Sequence, residues 1–162
     1  MNKNGFTLME LLVVVIIIGG LAAMTYPAYR TSVEHARASE AVNMVATIQA
    51  AQQKHFINYD EYGDIFKDIN DFVPSIEDFD DTRDSFSTDY FEYTLGRTYY
   101  EKTCVEARRV GAATGYKIIG CYADNFIRCK IDNNSEDGKK ICSSLTDRPM
   151  EGSGSTAYYP IY

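Results

Sequence analysis

The sequence predicts an α+β fold in which a long N-terminal α-helix, at about residues 6–58, packs on a small antiparallel β-sheet. Two observations predict this fold. From Phe6 to Asn58 the sequence fits a helix, first as an apolar segment and then as an amphipathic segment whose apolar residues have helical spacing. Short alternating segments rich in Tyr and Phe begin at Tyr90 and are typical of strands. The 162 residues are enough for one globular domain and a long appended helix.

The helix is predicted because neither Gly nor Pro interrupts residues 28–55. Pro27 and the pair Gly19–Gly20 are its weak points, since Pro removes a helix hydrogen bond and Gly is a poor helix former. They predict a segment that bends or unwinds; a simple kink, with glycines that let helices approach closely in lipid, is the alternative. The face that packs on the sheet is predicted from the apolar residues Val33, Ala38, Ala41, Val42, Val45, Ile48 and Phe56.

Residues 11–24 carry no charge, yet Glu10 lies just inside the apolar edge. One interpretation is a Sec-type signal peptide that is removed near Ala22 or Ala23. A second is a transmembrane anchor, but the uncharged run has only 14 residues, whereas a helix needs roughly 20 to span a bilayer. Counting from Phe6 gives 19 residues but includes Glu10. Neither interpretation gives this carboxylate a purpose in lipid.

Cleavage between Gly5 and Phe6 would provide a charged partner for the Glu10 carboxylate. It leaves an ammonium on Phe6, and Glu10 follows one helical turn later. The carboxylate is then placed to pair with an ammonium at the same membrane depth, in its own chain or in a neighbouring one. Because an unpaired carboxylate is penalised in lipid, Glu10 is predicted to favour packing against another copy. Lys3 would hold the leader in the cytoplasm.

Residues 58–89 contain eleven carboxylates against two basic residues. Interspersed Ile, Phe and Val predict a loop held against the sheet, with a short helix at about residues 63–71. A solvated acidic surface is favoured over a calcium site, because no calcium-loop spacing with its central Gly is present. The candidates for the calcium alternative are Asp78, Asp80, Asp81 and Asp84.

Strands are predicted over residues 90–95, 100–110 and 116–123, with a turn at 111–115. The chain ends in a Gly/Ser-rich linker and then an aromatic stretch, within residues 151–162. The aromatic end is predicted to dock on the sheet as a last strand. A contact patch for a neighbouring molecule is the alternative.

All four cysteines follow residue 100, downstream of a membrane-targeting segment, which predicts disulfides in an oxidising compartment. No pair has C-x-x-C spacing, so zinc is not favoured. Folding the second and third strands about their turn brings Cys104 almost opposite Cys121. Cys129 and Cys142 would then close a polar loop at residues 130–141. Four cysteines allow three connectivities, so other pairings stay open.

The net charge of −7 argues against a nucleic-acid partner and against electrostatic docking on anionic lipid. The sequence has no Ser-His-Asp pattern, no phosphate-binding Gly loop and no H-E-x-x-H. His35 and His55 lie far apart on the predicted helix and are interpreted as ordinary helix residues. The sequence therefore predicts neither an enzyme nor a cofactor.

Residues 5–29, GFTLMELLVVVIIIGGLAAMTYPAY, resemble the N-terminus of the type IV pilin and pseudopilin family. That family has a short basic leader ending in Gly, then Phe-Thr-Leu, a Glu at the fifth mature position, an aliphatic run and a Pro-Ala-Tyr segment. The resemblance continues more loosely through residues 36–43 and covers about 40 of the 162 residues.

The resemblance implies that a membrane prepilin peptidase cuts between Gly5 and Phe6 and that Phe6 is N-methylated. It also implies that the N-terminal helices assemble into a filament core with other pilins, through an inner-membrane assembly platform. The chain would start as a single-pass precursor in the inner membrane and end in an extracellular pilus. The implied assembly residues are Glu10, Leu11, Leu12 and Pro27.

On this resemblance the chain has a pilin-like organisation in four parts. They are a cleaved leader (1–5), a transmembrane and filament-core half of the helix (6–27), an amphipathic half (28–58) and a globular head (59–162). The head comprises an acidic loop (59–89), a β-sheet (90–123) and a disulfide-rich C-terminal region (124–162).

The resemblance favours a structural subunit of a type IV pilus. A pseudopilin of a type II secretion system, in a periplasmic pseudopilus, is the alternative, although heads of the major pseudopilins tend to use calcium rather than disulfides. A secreted soluble binding domain with a conventional signal peptide is a further alternative. Glu10 separates the pilin interpretation from the secreted soluble domain, because a discarded signal peptide gives Glu10 no role.

Overall fold

The computed structural model describes residues 6–70, 73, 84–99, 102–111, 115–154 and 157–162. The leader with Gly5, and the calcium candidates Asp78, Asp80 and Asp81, lie outside the described residues. The chain divides into two compact units, an N-terminal unit, Met1–Glu34, and a head unit, His35–Tyr162. The head unit therefore includes part of the long helix, ahead of the expected boundary at residue 59.

The long helix α1 spans Leu8–Tyr59, which confirms the helix predicted at about residues 6–58. It continues through Pro27. Beside this proline, Thr31 Oγ1 donates to Pro27 O at 3.2 Å and Ser32 Oγ donates to Ala28 O at 3.1 Å. Such bonds satisfy hydroxyl groups within an apolar helix. Bending or unwinding at Pro27 stays a prediction.

Within the described residues, six strands form one antiparallel sheet whose spatial order equals the chain order. The sheet follows α1 in the chain, so the predicted α+β class is confirmed. The strands are β1 (Ser85–Ser87), β2 (Phe91–Tyr99), β3 (Lys102–Arg109), β4 (Tyr116–Cys121), β5 (Ile127–Ile131) and β6 (Tyr158–Pro160).

One face of the sheet packs on the part of α1 that belongs to the head unit. Of the predicted apolar face, Ala38, Ala41, Val42, Val45 and Ile48 are buried there. Val33 precedes the head unit and is half-buried. Phe56 is 40% exposed and lies against the Tyr62 ring, 4.9 Å between centroids. A row of directly paired residues crosses the buried sheet face, one from each strand: Phe86, Tyr93, Ala107, Ile118, Cys129 and Tyr159. The helix contributes Ala38, Ala41, Val42, Val45, Ile48 and Ala51 to the same core.

The sheet extends beyond the expected residues 90–123. Strand β2 continues past the predicted end at residue 95 because a bulge between Thr94 and Arg97 lets pairing resume. Gly96 lies in this bulge with φ of 68°, a left-handed conformation that glycine adopts readily. Strand β1 lies inside the predicted acidic loop; its three residues are too few to show a pattern. Strand β6 confirms that the aromatic C-terminal end docks on the sheet.

Two helices differ from their predictions. The short helix expected at residues 63–71 is a single turn, α2 (Phe66–Ile69). The loop prediction for residues 130–141 is wrong in its second half, where α3 spans Glu136–Ser144. Ser135 caps α3, since its Oγ accepts a hydrogen bond from Gly138 N at 3.1 Å. Asn, Asp and Gly in this segment indicated a loop, but Ser followed by two acidic residues is also a helix-start signal.

Each disulfide joins two elements of the head unit. Cys104 is bonded to Cys121, and these residues lie directly opposite each other on β3 and β4, with Cα atoms 3.9 Å apart. Cys129 of β5 is bonded to Cys142 of α3. All four cysteines are fully buried. The second bond therefore fixes α3 to the sheet.

Gln52 of α1 holds the chain shortly after it leaves the helix. Its Oε1 accepts a hydrogen bond from Gly63 N at 2.8 Å, and its Nε2 donates to Gly63 O at 2.9 Å. Gln52 and Gly63 are both buried. The amide side chain thus satisfies both polar groups of one buried residue, as a neighbouring strand would.

We expect Gln52→Ala to lower the free energy of unfolding of the head unit by roughly 2–4 kcal/mol, because Gly63 N and O would be buried without these partners. Chemical denaturation of the full chain in detergent micelles measures this change. Gln53→Ala is the matched control, since the hydrogen bond that Gln53 makes with the described residue Asn125 is long, at 3.4 Å, and exposed. Equal effects of the two substitutions would contradict the role assigned to Gln52.

Candidate functional site

The N-terminal unit carries exposed apolar side chains along α1. Soluble proteins rarely expose contiguous apolar patches beyond a few hundred Å². By length and composition the helix is apolar enough to cross a membrane, and a signal sequence would share these properties. A surface of this kind is typical of segments that lipid or other protein chains cover. Its large apolar side chains, each at least 46% exposed, are Phe6, Leu8, Met9, Leu11, Leu12, Val13, Val14, Val15, Ile16, Ile17, Ile18, Leu21 and Met24.

Glu10 lies at the first turn of α1 and is hydrogen-bonded to Thr7. Glu10 Oε2 accepts a hydrogen bond from Thr7 Oγ1 at 3.2 Å and another from Thr7 N at 3.3 Å. In return, Glu10 N donates to Thr7 Oγ1 at 3.2 Å. A carboxylate near a helix N-terminus is also favoured by the helix dipole. The carboxylate in the apolar segment therefore has donors within its own chain.

The Phe-Thr-Leu motif includes Thr7, but the sequence interpretation gives Thr7 no role of its own. The signal was present, because Thr-Leu-Met-Glu matches the Ser/Thr-x-x-Glu pattern of a capping box. The residues around this pattern are apolar and indicate a membrane segment, so the pattern alone did not identify the start of the helix.

The other predicted assembly residues lie on the same helix or precede it. Phe6 is 87% exposed just before α1 begins, and Leu11 and Leu12 are 64% and 49% exposed. Pro27 lies within α1. Gly5 is outside the described residues. Processing at Gly5 and Phe6, and assembly through the other residues, stay predictions.

The remaining candidates show structural contacts. Of the calcium candidates only Asp84 is described, and its backbone carbonyl accepts from Leu95 N at 2.7 Å. Within the described ranges no group of three or more His, Cys, Asp or Glu is placed to hold a metal. His35 Nε2 lies 3.0 Å from Ser144 O, and His55 Nδ1 lies 2.9 Å from Glu61 O. Each histidine therefore contacts a backbone carbonyl of the head unit.

Residues 1–26 match the family model of the prokaryotic N-terminal methylation motif. The motif covers the leader, Phe6, Glu10 and the apolar run of α1. Together with the α+β fold, it defines the class: a protein with an N-terminal methylation motif, a hydrophobic N-terminal helix and a β-sheet head.

Named relatives narrow this class. The chain is 37% identical to a fimbrial protein of Neisseria meningitidis serogroup B over 60 residues, which are 37% of this chain and 35% of the relative. It is 35% identical to the type IV major pilin protein PilE1 of Neisseria gonorrhoeae over 60 residues, 37% of this chain and 36% of the relative. It is 39% identical to the type IV major pilin protein PilA of Myxococcus xanthus over 73 residues, 45% of this chain and 33% of the relative.

The N-terminal part of this chain is therefore similar to fimbrial proteins and type IV major pilins. The chain spans about a third of the length of the curated relatives it matches. No solved structure matches it at a significant level.

Proposed function

We propose that the chain is a structural subunit of a type IV pilus and assembles through its apolar N-terminal helix. The observation that carries this proposal is the methylation motif of residues 1–26 on a helix whose large apolar side chains are exposed. An apolar surface of this kind is unfavourable in water, and packing against identical helices in a filament core would bury it. The names of the relatives, fimbrial protein and type IV major pilin, support the same function.

In this proposal a prepilin peptidase cleaves between Gly5 and Phe6, and the new N-terminus of Phe6 is methylated. Before assembly the chain lies in the inner membrane as a single-pass precursor, which the length and composition of α1 allow. An assembly platform in that membrane then transfers it to the pilus. No catalytic step by this chain is proposed.

Glu10 is proposed to direct assembly. Its carboxylate pairs with the N-terminal ammonium of a neighbouring subunit, since both groups would otherwise lie in a medium of low dielectric constant. Leu11 and Leu12 make apolar contacts beside this pair. Pro27 allows the helix to bend or unwind at that position. The pair therefore adds directional attraction to an otherwise non-directional apolar contact.

The head unit is proposed to form the outer surface of the filament. Its two buried disulfides, Cys104–Cys121 and Cys129–Cys142, suit an oxidising extracellular environment. Disulfides also limit the unfolded chain and so stabilise an exposed head, by about 2–4 kcal/mol each in typical cases. The same chain in a periplasmic pseudopilus is the competing assignment.

The test is the intact mass and N-terminal peptide of the chain from a surface fraction sheared from its native cells. We expect the chain to begin at Phe6, with one methyl group on its amino nitrogen, and to be abundant in that fraction. Both disulfides should be present in the intact mass, and reduction should raise it by four hydrogens.

Two results would contradict the proposal. A chain that begins near Met24 would be a secreted, disulfide-bonded domain whose signal peptide has been removed. A methylated Phe6 found only in the membrane fraction would assign the chain to a secretion pseudopilus instead. The membrane fraction of the same cells, analysed in parallel, is the control for incomplete shearing.

A further inference from the structure

Thr7 and Glu10 form a reciprocal capping box at the start of α1. The Thr7 hydroxyl accepts a hydrogen bond from Glu10 N at 3.2 Å. Both donors of Thr7, its hydroxyl and its backbone N–H, converge on Glu10 Oε2 at 3.2 and 3.3 Å. Two donors on one oxygen restrain both the position and the direction of the carboxylate.

This box contains only atoms that cleavage between Gly5 and Phe6 would leave in place. The N–H and the hydroxyl belong to Thr7, and the carboxylate belongs to Glu10. An ionised carboxylate has about four acceptor positions on its two oxygens. The two hydrogen bonds from Thr7 therefore leave acceptor capacity for an ammonium, and Glu10 can hold the box and pair at the same time.

A restrained carboxylate pairs more favourably than a freely rotating one. The Glu side chain has three rotatable bonds, and ordering it on association opposes binding. A side chain that its own chain already holds loses less freedom when a partner arrives, which is the general advantage of preorganisation. The hydrogen bonds that restrain the carboxylate are stronger where water is excluded, as it would be around an apolar helix in lipid.

We propose that Thr7 is a positioning residue whose hydroxyl holds the Glu10 carboxylate for pairing with the N-terminal ammonium of a second copy of this chain. The inference rests on the proposed filament function, since the pairing partner is another subunit. Helix capping alone is the competing role for the same contacts. The two roles differ in what they require of residue 7, because capping tolerates Gly and positioning needs a hydroxyl.

The experiment compares Thr7→Ser, Thr7→Val and Thr7→Gly in the full chain, expressed in its native cells. The readout is the ratio of processed subunit in the sheared surface fraction to processed subunit in the membrane. We expect Thr7→Ser to keep the wild-type ratio, because Ser retains the hydroxyl. We expect Thr7→Val and Thr7→Gly to lower it about tenfold, the size of one hydrogen bond to a charged group.

Thr7→Gly is the matched control for capping, since Gly is accepted at a helix N-cap almost as well as Thr. A second measurement follows the Glu10 side chain directly, by the carboxyl signal of ¹³C-labelled Glu in the full chain in detergent micelles. The carboxyl signal that is absent from the spectrum of Glu10→Gln is assigned to Glu10. It should move in Thr7→Val and Thr7→Gly and stay in place in Thr7→Ser.

Three other outcomes would contradict either the role of Thr7 or the role of Glu10. Wild-type assembly of Thr7→Val or Thr7→Gly, beside a defective Glu10→Ala, would overturn the role of Thr7 and leave the proposed function intact. A loss in Thr7→Ser as large as in Thr7→Val would overturn it as well, because the hydroxyl would not be the cause. Wild-type assembly of Glu10→Ala would overturn both the positioning role and the assembly role of Glu10.

Discussion

Replacing Glu10 with alanine is expected to leave cleavage after Gly5 intact and to reduce the subunit in the sheared surface fraction on the order of 100-fold or more. The reason is that the N-terminal ammonium of the neighbouring subunit would keep its charge and lose its partner. Removing one partner of a buried pair leaves the other uncompensated in a medium of low dielectric constant, at about 3–5 kcal/mol. The measurement is the amount of processed subunit in the surface fraction, relative to the processed subunit in the membrane.

Glu61→Ala is the matched control for this prediction. Glu61 is an exposed glutamate of the head unit, and its substitution removes the same charge outside the apolar segment. We expect it to assemble as the wild type does. If Glu10→Ala also assembled normally, the proposed pairing with a neighbouring ammonium would be wrong, whatever the state of Phe6.

The second large effect is expected at Gly120, where β4 crosses α1. A Cβ at this position would lie 2.4 Å from Val45 Cγ1 and 2.8 Å from Gln49 Cδ. Val45 and Gln49 are themselves buried, so neither has room to move away. Gln49 also donates a hydrogen bond to Cys121 O at 2.9 Å, which a shift of the side chain would break. The sheet approaches the helix closely here because residue 120 has no side chain.

We expect Gly120→Ala to lower the free energy of unfolding of the head unit by about 1–3 kcal/mol, the range for overpacking a dense core. Gly120→Val should prevent folding or cause a larger loss. The measurement is the thermal transition of the full chain in detergent micelles, followed by near-ultraviolet circular dichroism. Each kcal/mol should lower Tm by about 4 °C for a unit of this size.

Gly19→Ala is the control for the glycine substitution, because a Cβ at Gly19 meets no atom within 4 Å. It lies in the N-terminal unit, and we expect it to leave the transition of the head unit unchanged. An unchanged transition in Gly120→Ala would mean that β4 and α1 do not pack as closely as their geometry indicates.

The errors of the sequence interpretation share a physical cause. Helix α3 was missed because Asn133, Asn134 and the Gly and Asp residues after them favour loops as individual residues. In the fold, Ser135 caps this segment and the bond from Cys142 to Cys129 holds it against β5. Strand β1 was missed because three residues carry no periodic signal; pairing with β2 makes them a strand. In both cases a contact outside the segment decides its conformation.

The long helix, its apolar half and the position of Glu10 within it follow from the sequence alone. These features depend on composition and short-range spacing, which are local properties of the chain. The Thr7–Glu10 box belongs with them, since its partners are three residues apart. Three features depend on tertiary contacts: Gln52 holds Gly63, Gly120 must lack a side chain, and paired residues of strands β1–β6 form one row that is buried except at its partly buried ends, Phe86 and Tyr159. These features depend on which residues of separate segments meet in the fold, and no local pattern in a single segment encodes that meeting.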